Sequence, residues 1–253
     1  MSEVEFVLIL VGLFCIALLF STVGHGGASG YLAILSLTSF GTMSSIWLKQ
    51  HVWSLNLIVS GLAFIQFHRN GHFEAKLALP FVIFSIPMAI LGGYIRLEGS
   101  LYDIVLAIFL SLAAWRVYSI KDNKVGEVNT PSMKISALVG GIIGFISGIV
   151  GVGGGIFLTP ILLLNNWATP KTAAAAASIF IWITSISALG GSIISGQMVL
   201  EFGKIVTFGG VVVLGGFLGS RYGAGNAHEI VVRSSLVGVL IIAASKRIFD
   251  LIF

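Results

Sequence analysis

The sequence predicts an all-α polytopic membrane protein made of two related repeats of about four transmembrane helices each. Glycine-rich helix breaks or re-entrant segments are expected near 24–30 and 151–155. Three observations carry this reading: an apolar composition, long charge-free stretches and a pair of matching glycine clusters. Of the 253 residues, 57% are hydrophobic and only 9% are charged, and the mean hydropathy is +1.04. A soluble domain carries about 25% charged residues, so 14 Lys+Arg and 10 Asp+Glu cannot coat a globule of this length. That excludes a soluble enzyme, a disordered chain and a secreted disulfide scaffold. It also excludes an outer-membrane barrel, whose strands alternate apolar and polar residues. The net charge of +4 fits Lys and Arg in cytoplasmic loops and implies no nucleic-acid partner; the partner is the lipid bilayer.

The elements follow from where charges interrupt the chain. The start, Met-Ser-Glu-Val-Glu, has no basic residue and no cleavage signal after it, so the first apolar segment reads as a retained helix. Phe6–Leu48 holds 43 residues without a charge. As a helix it would run about 65 Å against a bilayer core of about 30 Å, so it crosses more than once or folds back. Gln50–His68 and Leu77–Ile95 can each span, the second kinked by Pro80 and Pro87. Ile104–Trp115 spans only if flanking residues, Asp103 among them, lie at the interface. Ile135–Pro170 repeats the length problem with 36 residues. Thr169-Pro170 then reads as an N-cap with Pro at the first helical position. Thr172–Leu200, Ile205–Ser220 and Ser234–Ser245 complete about eight spans. Cys15, alone in an apolar run, reads as a small buried hydrophobe.

Orientation follows from an eight-span count. One side holds nine basic residues, Arg69, Lys76, Arg116, Lys121, Lys124, Lys134, Lys204, Lys246 and Arg247. The other holds five, Lys49, Arg96, Lys171, Arg221 and Arg233. The positive-inside rule then places both termini in the cytoplasm, in a plasma (bacterial inner) membrane.

The polar segment Lys121–Lys134 divides the chain nearly in half, within a single transmembrane domain over 1–253. Self-similarity across it gives repeat 1 at 4–119, a linker at 120–132 and repeat 2 at 133–253. Gly24, Gly26 and Gly27 fall on Gly151, Gly153 and Gly154, 127 positions on. Gly92-Gly93-Tyr94-Ile95 resembles Gly215-Gly216-Phe217-Leu218, and Tyr102-Asp103-Ile104-Val105 resembles His228-Glu229-Ile230-Val231. Asp103 and Glu229 each open a helix, where an acid complements the N-terminal dipole.

The chemistry lies in the clusters Gly24–Gly30 and Gly151–Gly155. So many glycines disfavour a helix, at about 1 kcal/mol each relative to Ala. Broken backbone at membrane depth survives only where protein or a watery cavity satisfies its polar groups. Two breaks at matching places point to a transporter's central site. The short helices beyond the breaks would aim their N-terminal amides at an anion. Gly140, Gly144 and Gly148, spaced by four, read instead as a helix-packing seam, as do Gly92-Gly93 and Gly209-Gly210. Gly151–Gly155 lacks the Lys-Ser/Thr that closes a nucleotide loop.

The string Gly148-Ile-Val-Gly-Val-Gly-Gly-Gly-Ile-Phe-Leu-Thr-Pro160 resembles the signature of the TauE/SafE family of sulfite exporters. Val23-Gly-His-Gly-Gly-Ala-Ser-Gly-Tyr-Leu is a weaker first copy, with His25 and Ala28 as departures. Where members show a small-polar pair in the next helix, the second copy keeps Ala177-Ser178 and the first has Gln50-His51. The resemblance covers essentially the whole chain. It implies a two-repeat permease exporting sulfite, a sulfonate or a related sulfur-containing anion.

Every acidic residue falls in a loop or at a helix end, so no carboxylate is placed for a cation site or an acid relay. The ionisable groups left near membrane depth are Lys49, His51 and His25. Lys49 either snorkels at its helix start or faces substrate, and His51 either packs or binds. The expected substrate-binding set is Gly24, His25, Gly26, Gly27, Lys49, Gln50, His51, Gly151, Gly153, Gly154, Gly155 and Ser178. Asn56 and Gln66 read as interhelical hydrogen bonders. No catalytic residue, metal ligand or cofactor is expected, and the chain is not read as an enzyme. The leading reading is a secondary transporter of a small anion working by alternating access between two repeats. A permease for a different small anion and a non-transporting scaffold or assembly subunit are the alternatives. Two consequences are expected: Gly154→Val and its match at Gly27 abolish transport while the protein still folds, and Gly140→Val lowers stability.

Overall fold

The computed structural model describes residues 2–95 and 129–228. The expected spans Ile104–Trp115 and Ser234–Ser245, residues Asp103 and Glu229, and most of the linker lie outside the described residues. The described part contains eight α-helices and no strand: α1 Glu3–Ser21, α2 Ala28–Ser36, α3 Ser45–Arg69, α4 Ala75–Tyr94, α5 Met133–Val150, α6 Gly155–Leu164, α7 Pro170–Ile194 and α8 Phe202–Ala224. A short 3-10 turn, Ser39–Thr42, precedes α3. Five of these helices (α1, α4, α5, α7 and α8) are long and apolar enough to cross a membrane. Their outward faces carry exposed apolar side chains such as Leu138 and Val206, which suits lipid contact. Cys15 lies on that outer face and not in the core. Its neighbours one turn away, Val11 and Leu19, are exposed with it.

Local signals set the helix starts. Ser2, Ser44, Ser132 and Thr169 each accept a hydrogen bond from a backbone N–H in the first turn, which satisfies a donor the helix leaves over. Pro170 comes after Thr169 as the first helical residue.

The bundle has two ends, each fixed by hydrogen bonds. At the near end the Ser39 N–H donates to Glu5 Oε1 at 2.7 Å, and Trp47 Nε1 donates to Glu201 Oε1 at 2.7 Å. Gln197 Nε2 donates there to the Tyr94 carbonyl at 3.1 Å. At the far end His72 Nε2 donates to the Ala224 carbonyl at 2.9 Å. Lys171 Nζ donates to the Gly225 carbonyl at 3.1 Å, and the Asn129 N–H to the Asn166 carbonyl at 3.1 Å. Thus α1 enters from the near end and α2 folds back along it, with Gly30 against Ile16 and Gly12 against Ile34. From the far end, α5 and α6 run inward and back. Helices α3, α4, α7 and α8 connect the two ends.

These two hairpins correct the assignment of loops to sides. An eight-span count treats Phe6–Leu48 and Ile135–Pro170 as one crossing each, whereas each returns to its own end, so the segments between the two hairpins change sides relative to the N-terminus and those after the second do not. Lys171 and Arg221 therefore share the far end with Arg69, Lys76 and Lys134, and Lys204 lies at the near end. Positions 96, 116, 121, 124, 233, 246 and 247 of the same count lie outside the described residues.

Close backbone packing holds the helices together. α5 lies parallel to α4, and a methyl group on Gly140, Gly144 or Gly148 would overlap the carbonyl oxygen of Phe81, Ser85 or Ala89. α8 lies parallel to α1 in the same way, with Gly215, Gly219 and Gly223 against the carbonyls of Phe14, Leu18 and Thr22. Small residues allow such approach where helix association depends on van der Waals contact. Gly92 and Gly93 belong to these seams; Gly209 touches Ile58, while Gly210 meets nothing within 4 Å.

Candidate functional site

The two glycine turns meet around the middle of α3. Helix α1 ends at Ser21 and α2 starts at Ala28; α5 ends at Val150 and α6 starts at Gly155. The caps of α2 and α6, Gly27 (φ 95°) and Gly154 (φ 77°), are both left-handed, a region that glycine adopts without steric cost. Added side chains there would strike Tyr31 and Phe180 respectively. Asn56, at mid-length of α3, stands between the turns, its Oδ1 against Gly26 and its Nδ2 against Gly153. Only glycine leaves room for that amide at either position.

A side-chain web fixes the arrangement. Asn56 Nδ2 donates to Ser185 Oγ of α7 at 3.1 Å, and Thr184 Oγ1 donates to the Gly153 carbonyl at 2.9 Å. His25 is 1% exposed; its Nε2 lies 3.4 Å from Thr159 Oγ1 in α6, so the first turn is joined to the second hairpin. Five buried polar atoms beside the turns have no hydrogen-bond partner: His25 Nδ1, Asn56 Oδ1 and the hydroxyls of Ser29, Tyr31 and Ser147. Buried polar groups are ordinarily paired, so such a cluster at one place marks where a polar ligand could be held. The first-turn amides of α2 and α6, which a helix does not use internally, start from the same turns.

The expected site residues divide into two groups. Gly24, His25, Gly26, Gly27, Gly151, Gly153, Gly154 and Gly155 form the meeting turns. Lys49 stands beside them: its Cγ is 2.9 Å from where a Cβ on Gly151 would stand. At 4% exposed it is inside the protein and does not snorkel. Ser178 is buried in α7, its hydroxyl donating to the Ala175 carbonyl of its own helix. Gln50 and His51 face elsewhere, toward the connection between α7 and α8. The Gln50 amide donates to Ser192 Oγ and the Gln197 carbonyl and accepts the Val199 N–H. His51 Nδ1 donates to the Trp47 carbonyl at 2.8 Å, and Nε2 accepts the Glu201 N–H at 3.0 Å. Sequence reasoning places Asn56 as a helix–helix hydrogen bonder, which it is, but misses its position between the turns. An amide at mid-span of an otherwise apolar helix is the available signal.

An all-helical bundle with lipid-facing apolar surfaces and this buried polar centre is a multi-pass membrane transporter, not an enzyme. The chain belongs to the sulfite exporter TauE/SafE family, which matches residues 8–247. It is 32% identical over 228 residues to the probable membrane transporter protein y4hK of Sinorhizobium fredii, covering 87% of this chain and 90% of that protein. It is 26% identical over 195 residues to a probable membrane transporter protein of Methanocaldococcus jannaschii (72% and 70% covered). With the probable membrane transporter protein YunE of Bacillus subtilis it shares 24% identity over 266 residues (92% and 93%). No solved structure matches the chain.

Proposed function

We propose that this transporter moves a small sulfur-containing anion, such as sulfite or an organosulfonate, and exports it by alternating access about a site where two inverted repeats meet. The observation that carries the proposal is the convergence of both glycine turns on Asn56, with His25 Nδ1 buried and unpartnered beside them. When the Thr159 hydroxyl donates to Nε2, Nδ1 carries a proton to donate. The second N–H of Asn56, the first-turn amides of α2 and α6 and the positive end of each helix dipole also suit an anion. Lys49 supplies charge beside Gly151. Asn56 Oδ1 can accept from a hydrogen-bearing form such as hydrogensulfite.

The two-repeat reading is supported by matched order and length: 19, 9, 25 and 20 residues for α1–α4 against 18, 10, 25 and 23 for α5–α8. The hairpins enter from opposite ends, as inverted repeats require. Among the described residues the far end carries Arg69, Lys76, Lys134, Lys171 and Arg221, against Lys204 and the buried Lys49 at the near end. By the positive-inside rule the far end faces the cytoplasm and the N-terminus the opposite side, in a bacterial inner membrane.

Purified protein in liposomes should carry sulfite or a sulfonate down its gradient and ignore monovalent cations. Flux absent for every sulfur anion tried, in folded protein, would overturn the substrate assignment. If protons are coupled, histidine must carry them, because it titrates across the range of about pH 5–8. The flux–pH profile should flatten in His25→Gln. Profiles unchanged in both His25→Gln and His51→Gln would remove histidine from the coupling.

A further inference from the structure

The residues around the glycine turns are buried, so substrate reaches them only when something moves. We propose that the connection between α7 and α8, residues 195–201, is the near-end gate, and that Trp47, Gln50 and His51 of α3 are positioning residues that latch it shut. This rests on the reading that substrate sits at the turns.

The latch residues lie in the first two turns of α3: Trp47 and His51 hold Glu201, and Gln50 holds Gln197 and Val199. Trp47 Nε1 donates to Glu201 Oε1 at 2.7 Å. His51 stacks on the Trp47 ring with centroids 3.8 Å apart and accepts the Glu201 N–H. Gln50 engages Gln197 and Val199, its amide serving as donor and acceptor at once. Main-chain groups of the connection thus depend on side chains of another helix. Lys49, in the same turn of α3 but on its other side, packs against Gly151, so the helix end that carries the latch also borders the second turn. The contacts are hydrogen bonds between side chains and a loop, with no glycine seam beneath them, and they can open without unpacking the bundle.

The His51 geometry also gives the latch a chemical sense. With Nδ1 donating and Nε2 accepting, the ring is neutral; a proton on Nε2 would set one N–H against the Glu201 N–H. The charged groups around it are the Glu201 carboxylate and Lys204 from α8 and Lys49 on its own helix.

The test reads access rather than flux, so its failure is distinguishable from a wrong substrate site. In a Cys15→Ser background, Val152→Cys places a buried thiol in the second turn, next to Gly151. A membrane-impermeant maleimide is then applied separately to each face of oriented proteoliposomes, without substrate. Trp47→Phe, Gln50→Ala and Glu201→Ala should each speed near-end labelling about tenfold, the effect of losing one hydrogen bond to a charged group or its equivalent. Far-end labelling should stay unchanged. Glu201→Gln, which keeps the acceptor oxygen, should label like the parent, and His72→Ala at the far end should not raise the near-end rate. Glu201 is exposed, so its alanine variant folds and decides the matter even if Gln50→Ala does not. Unchanged near-end labelling in Glu201→Ala, or equal acceleration from both faces, would overturn the gate.

Discussion

Gly140→Val should fail to yield folded protein. The added side chain would enter the Phe81 carbonyl across the α4–α5 seam, where backbone and not a flexible side-chain end must yield. Overpacking typically costs about 1–3 kcal/mol and more where backbone must yield, a large part of a folding free energy of about 5–15 kcal/mol. The control is Gly210→Ala: that position meets nothing within 4 Å, and the change should leave stability equal or raise it by up to about 1 kcal/mol. Yield and melting temperature of the two variants check the contrast. Gly154→Val falls between them. Its Cβ would stand 2.7 Å from Phe180 Cε1 and 2.9 Å from Ile143 Cγ2, at φ +77°. It should therefore lose stability as well as flux, contrary to the expectation of an inactive but unperturbed fold.

Asn56→Leu should abolish transport while the protein remains folded. Leucine keeps the branch at Cγ between Gly26 and Gly153, with bulkier methyl ends, and removes both polar ends of the amide. The bond lost to Ser185 is one neutral hydrogen bond, about 1 kcal/mol, and the Ser185 hydroxyl can turn to its own helix instead. A hydrogen bond to a charged substrate is worth about 1.5–3 kcal/mol, or about 10- to 150-fold in apparent affinity. Losing the acceptor end of the amide as well would deepen that. A melting temperature close to the parent's with flux at background is the expected pair of results. Parental flux in Asn56→Leu would show that substrate does not pass between the turns.

The spans were legible because charges and hydropathy act locally: Gln50–His68, Leu77–Ile95 and Ile205–Ser220 fall on α3, α4 and α8, whose ends lie up to five residues from theirs. The seam glycines were legible too, since Gly140, Gly144 and Gly148 repeat at helical spacing. What sequence could not supply was the path of the chain beyond each glycine turn. Folding back and passing through have the same composition, and choosing wrongly separated Arg69, Lys76 and Lys134 from Lys171 and Arg221. Asn56 and Lys49 show the same limit at the site. Whether a polar side chain in a span meets another helix or a ligand depends on which turn packs against it, and that is decided about a hundred residues away, at Gly151 and Gly153.

The glycine seams also determine which parts can travel together. α1 is fastened to α8 and α5 to α4, backbone against backbone, and Gly93 and Gly191 fasten α4 to α7 as well. Each fastened group that includes α1 or α4 therefore contains a helix from both halves of the sequence. A half-against-half swing would tear these contacts, so the pieces that shift during transport are of mixed parentage. α3 and α7, by contrast, meet through side chains, Asn56 with Ser185 and Gln50 with Ser192, where partners can be exchanged. The seams predict a hinge at α3 and α7, one helix from each half of the sequence, and a boundary of motion other than the one a sequence comparison draws at residues 120–132.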